Sequence, residues 1–416
     1  MSSSPATAPS DSLLQHRAFV MFWCARIASS FGFQMLSVAV GWQVYAISGR
    51  ALDLGLIGLV QFVPSLLLAL PAGHVADQFE RRRIVLIGQV IECAAILVLT
   101  TLTLTHRIDE RGILSLVFVV GVAKAFEFPA LQSMLPALVP GAVLPRAMAL
   151  TSSAGQAAMI IGPAFGGFLY VAGAGVVYAV AAVLYVVAAT LMARIRYERT
   201  QPLREPATLK TLFAGVHFIR ERKDVLGVIS LDLFAVLLGG ATALLPIFAR
   251  NILHTGPWGL GLLRAAPAVG ALLMSLWLAR QRMDRHVGAI MFASVAGFGL
   301  ATLVFAVSTT LWLSLGALFA LGAFDMVSMV IRGSLVQLDT PDAMRGRVSA
   351  VNAIFINTSN QLGEFESGLL AAWLGAVGAT VVGGVGTLLV VGLWMLMFPG
   401  LRRRQRLSVA NGIPAE

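Results

Sequence analysis

Glu364 closes a run of four polar residues inside an otherwise apolar stretch: Asn357, Asn360, Gln361 and Glu364, at i, i+3, i+4 and i+7. At about 100° per residue that spacing draws one polar stripe along a helix. A carboxylate can carry a proton, and side-chain amides can hold the polar groups of a ligand. Hydrocarbon cannot host such a stripe, so it faces protein or water, as an interhelical hydrogen-bonding face or as a substrate or proton site. Glu364 lies about fifteen residues into its run, and Glu366, rotated about 200° from it, should meet different surroundings.

Other charges sit just as deep. Lys124 and Glu127 are three apart on one face and either neutralise each other or serve a cavity. Asp325 and Arg332, seven apart, lie two turns along one face and should look into the same cavity. Arg26, Ser30, Gln34 and Ser37 fall within about 80° of one another, forming a second polar face. Arg26, Glu92, Asp232 and Arg264 lie only about two turns from the end of a run, from which they can snorkel to the interface.

The elements that must hold these residues follow from composition. Apolar residues make up 58% of the 416 positions and charged residues only 12%, about half the charge of an ordinary soluble domain. Mean hydropathy is +0.84, and the apolar residues come in runs. At about 20 residues per crossing, twelve helices use roughly 240 residues. The runs predict spans at roughly 18–47, 54–76, 84–105, 112–137, 146–170 and 175–195, then 225–249, 257–280, 288–308, 311–336, 349–375 and 378–399. The expected fold class is therefore all-α integral membrane, with twelve transmembrane helices in two six-helix pseudo-symmetric bundles. Its parts are an N-tail (1–17), a first bundle (18–195), a linker (196–224), a second bundle (225–399) and a basic tail (400–416).

The net charge of +10 is spread between apolar runs as a topology signal, not gathered into a nucleic-acid face. With both termini on one side, that side carries 22 Lys/Arg against four on the other, so both termini are expected in the cytoplasm of a cell whose inner membrane the chain crosses. Residues Met1 to Ser12 are polar, without a basic region leading into a cleavable stretch, so the first run reads as a retained span. In the linker, Leu212, Phe213, Val216 and Ile219 recur at helical spacing beside charged Arg220 to Lys223, and this predicts an amphipathic helix on the cytoplasmic membrane surface. Pro64 recurs as Pro267, and Pro140 with Arg146 as Pro341 with Arg347, offsets of 203 and 201 that suggest parallel halves.

The connection after the second span carries Gly73, Asp77, Arg81, Arg82 and Arg83, with Gln78 and Glu80 between them. It resembles the glycine-aspartate-arginine signature of the major facilitator superfamily, departing from it at Gln78 and Glu80. Gly162, Pro163, Gly166 and Gly167 resemble the core of that superfamily's antiporter motif, with Ala149 and Ala158 where glycines usually precede it. The stretches Asp342, Arg345, Gly346, Arg347 and Ser359 to Gly368 are similar to the branch of siderophore and multidrug exporters. The resemblance implies that Asp77 latches the two halves at the start of the eleventh helix, near Ser349. Charge alone allows a plainer role, with the arginines following the positive-inside rule and Asp77 tempering them. The helix-5 glycines allow close helix approach and a bend, with or without a further function.

Other chemistry is thin. All six histidines fall in connections or at span ends, so no intramembrane metal or haem cluster is expected. The sequence has no phosphate-binding loop, so uphill transport must draw on an ion gradient. Cys24 and Cys93 lie in apolar runs and imply no disulfide framework. An intramembrane enzyme would show clustered histidines or paired acids across spans. The expectation is therefore a non-enzymatic, cofactor-free, monomeric secondary exporter of amphiphilic small molecules, drugs or a catecholate siderophore, exchanging substrate for protons. The alternatives are a lysophospholipid or lipid mover of the same fold and a membrane sensor that binds ligand without moving it.

Overall fold

The computed structural model of the chain describes residues 13–196, 209–281 and 285–407, leaving aside the side chains of Leu14, Leu70, Asp77, residues 209–213, Asp342 and Ala343. The first half is α1 (Arg17–Ser48), α2 (Ala51–Leu67), α3 (Ala69–Gln78), α4 (Arg81–Leu104), α5 (Glu110–Leu138), α6 (Leu144–Leu169) and α7 (Ala174–Arg194). Helix α8 (Leu209–Glu221) belongs to the linker. The second half is α9 (Lys223–Leu238), α10 (Leu245–Ile247), α11 (Pro257–Leu278), α12 (Val287–Val307), α13 (Leu311–Leu338), α14 (Asp342–Met397) and α15 (Pro399–Arg402). No strand occurs among the described residues.

Ten helical segments are long and apolar enough to cross a bilayer. Elsewhere the backbone departs from the expected pattern. The predicted span 54–76 is broken at Leu68 into α2 and α3, because Pro71 has no N–H to return to the Leu67 carbonyl one turn earlier. The last two predicted spans form one run, α14, bent at Gly375 (φ 73°, ψ 166°), a conformation open in practice only to glycine. The seventh is also interrupted. It stops at Leu238 before Gly239-Gly240 and resumes through a 3-10 turn and a π-helical turn at Phe248–Ile252.

The two halves repeat one another in packing. Helix α4 packs on α5 and α7 as α12 packs on α13 and α14, and α1 packs on α6 as α9 packs on α14. The recurring prolines lie at equivalent crossings. Pro64 of α2 sits beside Gly121 of α5, where an added methyl would come 3.5 Å from its ring, and Pro267 of α11 lies against Gly322 of α13 so closely that no side chain fits. Around the outside runs an apolar band in which Trp312, Trp373 and Leu396 are 82%, 75% and 77% exposed, as a lipid-facing surface requires.

The linker helix meets protein. Ile219 of α8 is buried with Val336, Val348 and Val351, and Gly215 abuts the Arg347 carbonyl. Val216 and Ile219 of the face expected on the membrane surface thus pack on the ends of α13 and α14, while the side chains of Leu212 and Phe213 lie outside the described residues. The basic tail is docked as well. The Val287 and Gly288 amides donate to the Gln405 and Arg404 carbonyls, and Arg404 forks onto Asp339 at 2.6 and 2.7 Å.

Candidate functional site

Two glycine seams join the halves at one end, and both open toward the other. Helices α2 and α14 meet where a methyl added at Gly368 would lie 2.5 Å from the Gly55 Cα. At Gly58 an added methyl would lie 2.7 Å from the Glu364 Cβ. Helices α6 and α11 meet where a methyl at Gly167 would lie 2.5 Å from the Pro257 carbonyl, and one at Gly261 would lie 2.6 Å from that of Pro163. Contacts this close need a glycine on at least one side, which is how helices associate in a solvent that supplies no hydrophobic drive.

Beyond each seam the helices diverge into a cavity. Past Gly58, α2 and α14 line the first, of about 460 Å³, with Gln61, Ser65, Asn357 and Gln361. Lys124, Phe33, Phe62 and Phe128 complete its wall. Past Gly167 and Gly261, α6 and α11 line the second, of about 490 Å³, with Gln156, Arg264 and Ala271. Gln34, Asp325, Asn360 and Glu364 also face it. The stripe on α14 is therefore a ridge between two cavities. Asn357 and Gln361 turn to the first, Asn360 and Glu364 to the second.

The buried charges pair across helices. Lys124 places its ammonium 2.5 Å from Glu127 and 3.1 Å from Glu92 of α4, and Gln89 donates to Glu127 at 3.1 Å. Arg26 of α1 adds its field to Glu127. Arg264 donates to the Ser37 hydroxyl of α1 at 2.7 Å, so the second polar face predicted on the first helix bridges to the other half. The snorkelling expectation is corrected for Glu92 and Asp232, which are fully and almost fully buried in ion pairs, and for Arg264, which turns inward to Ser37 and Glu364. Partners within the protein compensate these charges better than a stretch toward the interface would.

Asp325 and Arg332 do not share a cavity. Arg332 pairs with Asp232 of α9, whereas Asp325 lines the second cavity with no ion pair among the described residues. Removing one partner of a buried pair strands the other charge, at a cost of about 3–5 kcal/mol. Asp232→Asn should therefore lower the thermal midpoint of the detergent-solubilised protein by several degrees, and Asp325→Asn should barely move it. Equal midpoints for the two variants would show that the Asp232–Arg332 pair does not support the second half.

The predicted gating residues cluster at the open end. Arg81 donates to the Ser133 carbonyl at 2.8 Å, and Arg82 to the Ala193 and Ile195 carbonyls at 3.2 and 2.7 Å. Arg82 thus meets orphan carbonyls at the C-terminus of α7. Glu80 takes Arg82 and Arg83 at 3.1 and 2.7 Å. Helix α3 packs on α5, and Gly73 and Gly346 face open space. Arg345 donates to the Gln337 carbonyl, and Arg347 approaches the Met344 sulfur. The side chains of Asp77 and Asp342 lie outside the described residues. Among the helix-5 glycines, Gly162 and Gly166 abut Gln34 and Met35 of α1, and only Gly167 reaches the other half.

Sequence reasoning missed Gly55, Gly58, Gly261 and Gly368, although the spacing Gly55-x-x-Gly58 was a usable sign. It also missed Glu92 as the second partner of Lys124.

The sequence matches the family described as transmembrane secretion effector over residues 8–410. The enterobactin exporter of Citrobacter koseri is 27% identical over 413 residues, covering 97% of each chain. That of Shigella boydii is 26% identical over 401 residues, covering 94% of each. In fold, the chain is similar to the nucleoside transporter NupG, with a TM-score of 0.70 at 13% identity over 92% of this chain and 99% of that one. A bacterial homologue of the human lysosomal transporter Spinster, in an inward-facing and unoccupied conformation, gives a TM-score of 0.69 at 12% identity, over 93% and 96% of the two chains. The chain belongs to the transmembrane secretion effector family and is a multi-pass transporter of the major facilitator type, not an enzyme.

Proposed function

We propose that this protein exports an amphiphilic small molecule across the inner membrane by alternating access, in exchange for protons. The observation that carries the proposal is the pair of glycine seams diverging into largely apolar cavities with a few polar side chains, each lined by both halves. A binding site sealed at one end and open at the other is one state of an alternating-access cycle. The excess of Lys/Arg at the open end supports a cytoplasmic position for that end and for both termini. The relatives named as enterobactin exporters favour a catecholate siderophore over drugs as the cargo.

In the opposite state the cytoplasmic end must close. We infer that Gly73, Asp77, Arg81, Arg82 and the segment Asp342, Arg345, Gly346 and Arg347 form that closure. Asp77 would meet the exposed N–H groups at the start of α14. Glu364 lies on the α2–α14 seam, so its protonation changes the polarity of a contact that has to part. In proteoliposomes carrying the purified monomer, an imposed pH gradient should drive movement of a catecholate or a cationic dye. Ligand binding without gradient-dependent movement across a broad panel would make the protein a sensor instead.

A further inference from the structure

The segment that follows the last span sorts its side chains onto two faces. Leu401, Arg404 and Leu407 turn to the protein. Leu401 is fully buried, the Arg404 side chain is 8% exposed, and Leu407 packs on the core of the second half. Arg402, Arg403 and Arg406 turn outward and are exposed. The inward face is fixed along its length. Arg404 donates to both Asp339 oxygens and to the Arg406 and Leu407 carbonyls. The Arg404 and Gln405 carbonyls accept the first amides of α12, and the Leu401 carbonyl lies against Gly288 so closely that no side chain fits. The outward arginines thus stand on a docked backbone, and little further ordering is needed for them to act together.

The acids beside them are engaged elsewhere. Asp339 takes the fork from Arg404, and Asp224 of α9 stands 3.6 Å from the same guanidinium. Among the described residues no ion pair forms on the guanidinium of Arg402, Arg403 or Arg406. Arg285 and His286, exposed at the start of α12, extend the patch. Next to it along the chain, the last turns of α14 expose Leu393, Leu396 and Met397, and the first turn of α12 exposes Ile290. An apolar, lipid-facing surface that ends in unpaired cations has the outline of a phospholipid, acyl chains first and phosphate after. Guanidinium groups match a phosphodiester in charge and in geometry.

We propose that the docked tail holds an anionic phospholipid, with its phosphate at Arg402, Arg403 and Arg406 and its acyl chains along the end of α14. Such a lipid is a bound partner rather than cargo, whatever the chain exports. Basic residues at this end also serve orientation, so the comparison has to be made at equal charge. Arg194 and Arg196, past the end of α7 in the first half, are exposed at the same end of the molecule and provide it.

The full-length protein in detergent is titrated with phosphatidylglycerol or phosphatidylcholine, and bound lipid is read by native mass spectrometry. The wild type should retain phosphatidylglycerol at concentrations that leave no phosphatidylcholine bound. Arg402→Gln/Arg403→Gln, shown to be monodisperse, should weaken phosphatidylglycerol on the order of thirtyfold, the scale for two arginines at an anionic surface, and Arg194→Gln/Arg196→Gln should weaken it less than about threefold. Excess glycerol 1-phosphate should not displace the lipid, because a free headgroup lacks the apolar contact. Equal losses in the two double variants would reduce the patch to diffuse surface charge and overturn the assignment. An unchanged affinity in the tail variant, no preference for phosphatidylglycerol in the wild type, or displacement by glycerol 1-phosphate would overturn it as well.

Discussion

Gly368→Leu should abolish transport and leave the protein open at the end that is now sealed. The Gly368 position lies against the backbone of Gly55, with Ala51 behind it, so no side-chain rearrangement can make room for a larger residue. Overpacking of this kind costs about 1–3 kcal/mol in a core able to yield. Here the alternative to yielding is the other state of the cycle, in which the seam is already parted. A penalty of that size, applied to one state alone, shifts the population between states by about five- to 150-fold. The readout is labelling of a cysteine at Gln361, just beneath the seam, in a background with Cys24→Ser and Cys93→Ala. A membrane-impermeant maleimide applied from the Gly368 side should react much faster when Gly368→Leu is present. Gly368→Ala should give a smaller shift in the same direction. Wild-type flux together with unchanged labelling would mean that the α2–α14 contact is not a gate.

That seam marks the limit of what the sequence discloses. Apolar runs were enough for the all-helical membrane class, because a bilayer imposes length and backbone satisfaction on each span separately. The offsets of Pro64 and Pro267 were legible for the same reason, since each proline marks its own helix. Pairing between helices was not. Asp232 and Arg332 meet from positions a hundred residues apart, and the i, i+7 relation of Asp325 to Arg332 fixes a common face without saying which neighbour covers it. Apart from the Gly55-x-x-Gly58 spacing, nothing local distinguishes Gly55 and Gly368, which abut the other half, from Gly316 or Gly392, where an added methyl would meet open space. The stripe on α14 was read correctly as polar. Whether it faced one cavity or divided two depended on where α2, α5, α6 and α11 stand around it.

Glu364→Gln should leave the protein folded and able to bind ligand, yet uncouple it from the proton gradient. Glu364 lines the second cavity with Arg264 and reaches over the α2 backbone at Gly58, where its carboxylate oxygen would lie 2.9 Å from an added methyl. A charge at that position is tolerated while Arg264 is near and the seam is shut. In the proposed cycle, parting α2 from α14 would open the group to the other side of the membrane, where it would take a proton before the seam closes again. Glutamine keeps the shape and the hydrogen bonds but cannot carry that proton. Gradient-driven flux should fall on the order of tenfold or more, the scale of a typical coupling energy, and the remaining flux should lose its dependence on pH. Glu366 is the control. It lies two residues on, outside the residues that line either cavity, and Glu366→Gln should do less. Asp325→Asn tests the competing assignment, because Asp325 shares the second cavity but stands away from the seam. Wild-type rate and pH profile in Glu364→Gln, with Asp325→Asn or Glu127→Gln inactive, would move the proton to another helix and reduce Glu364 to a wall of the cavity.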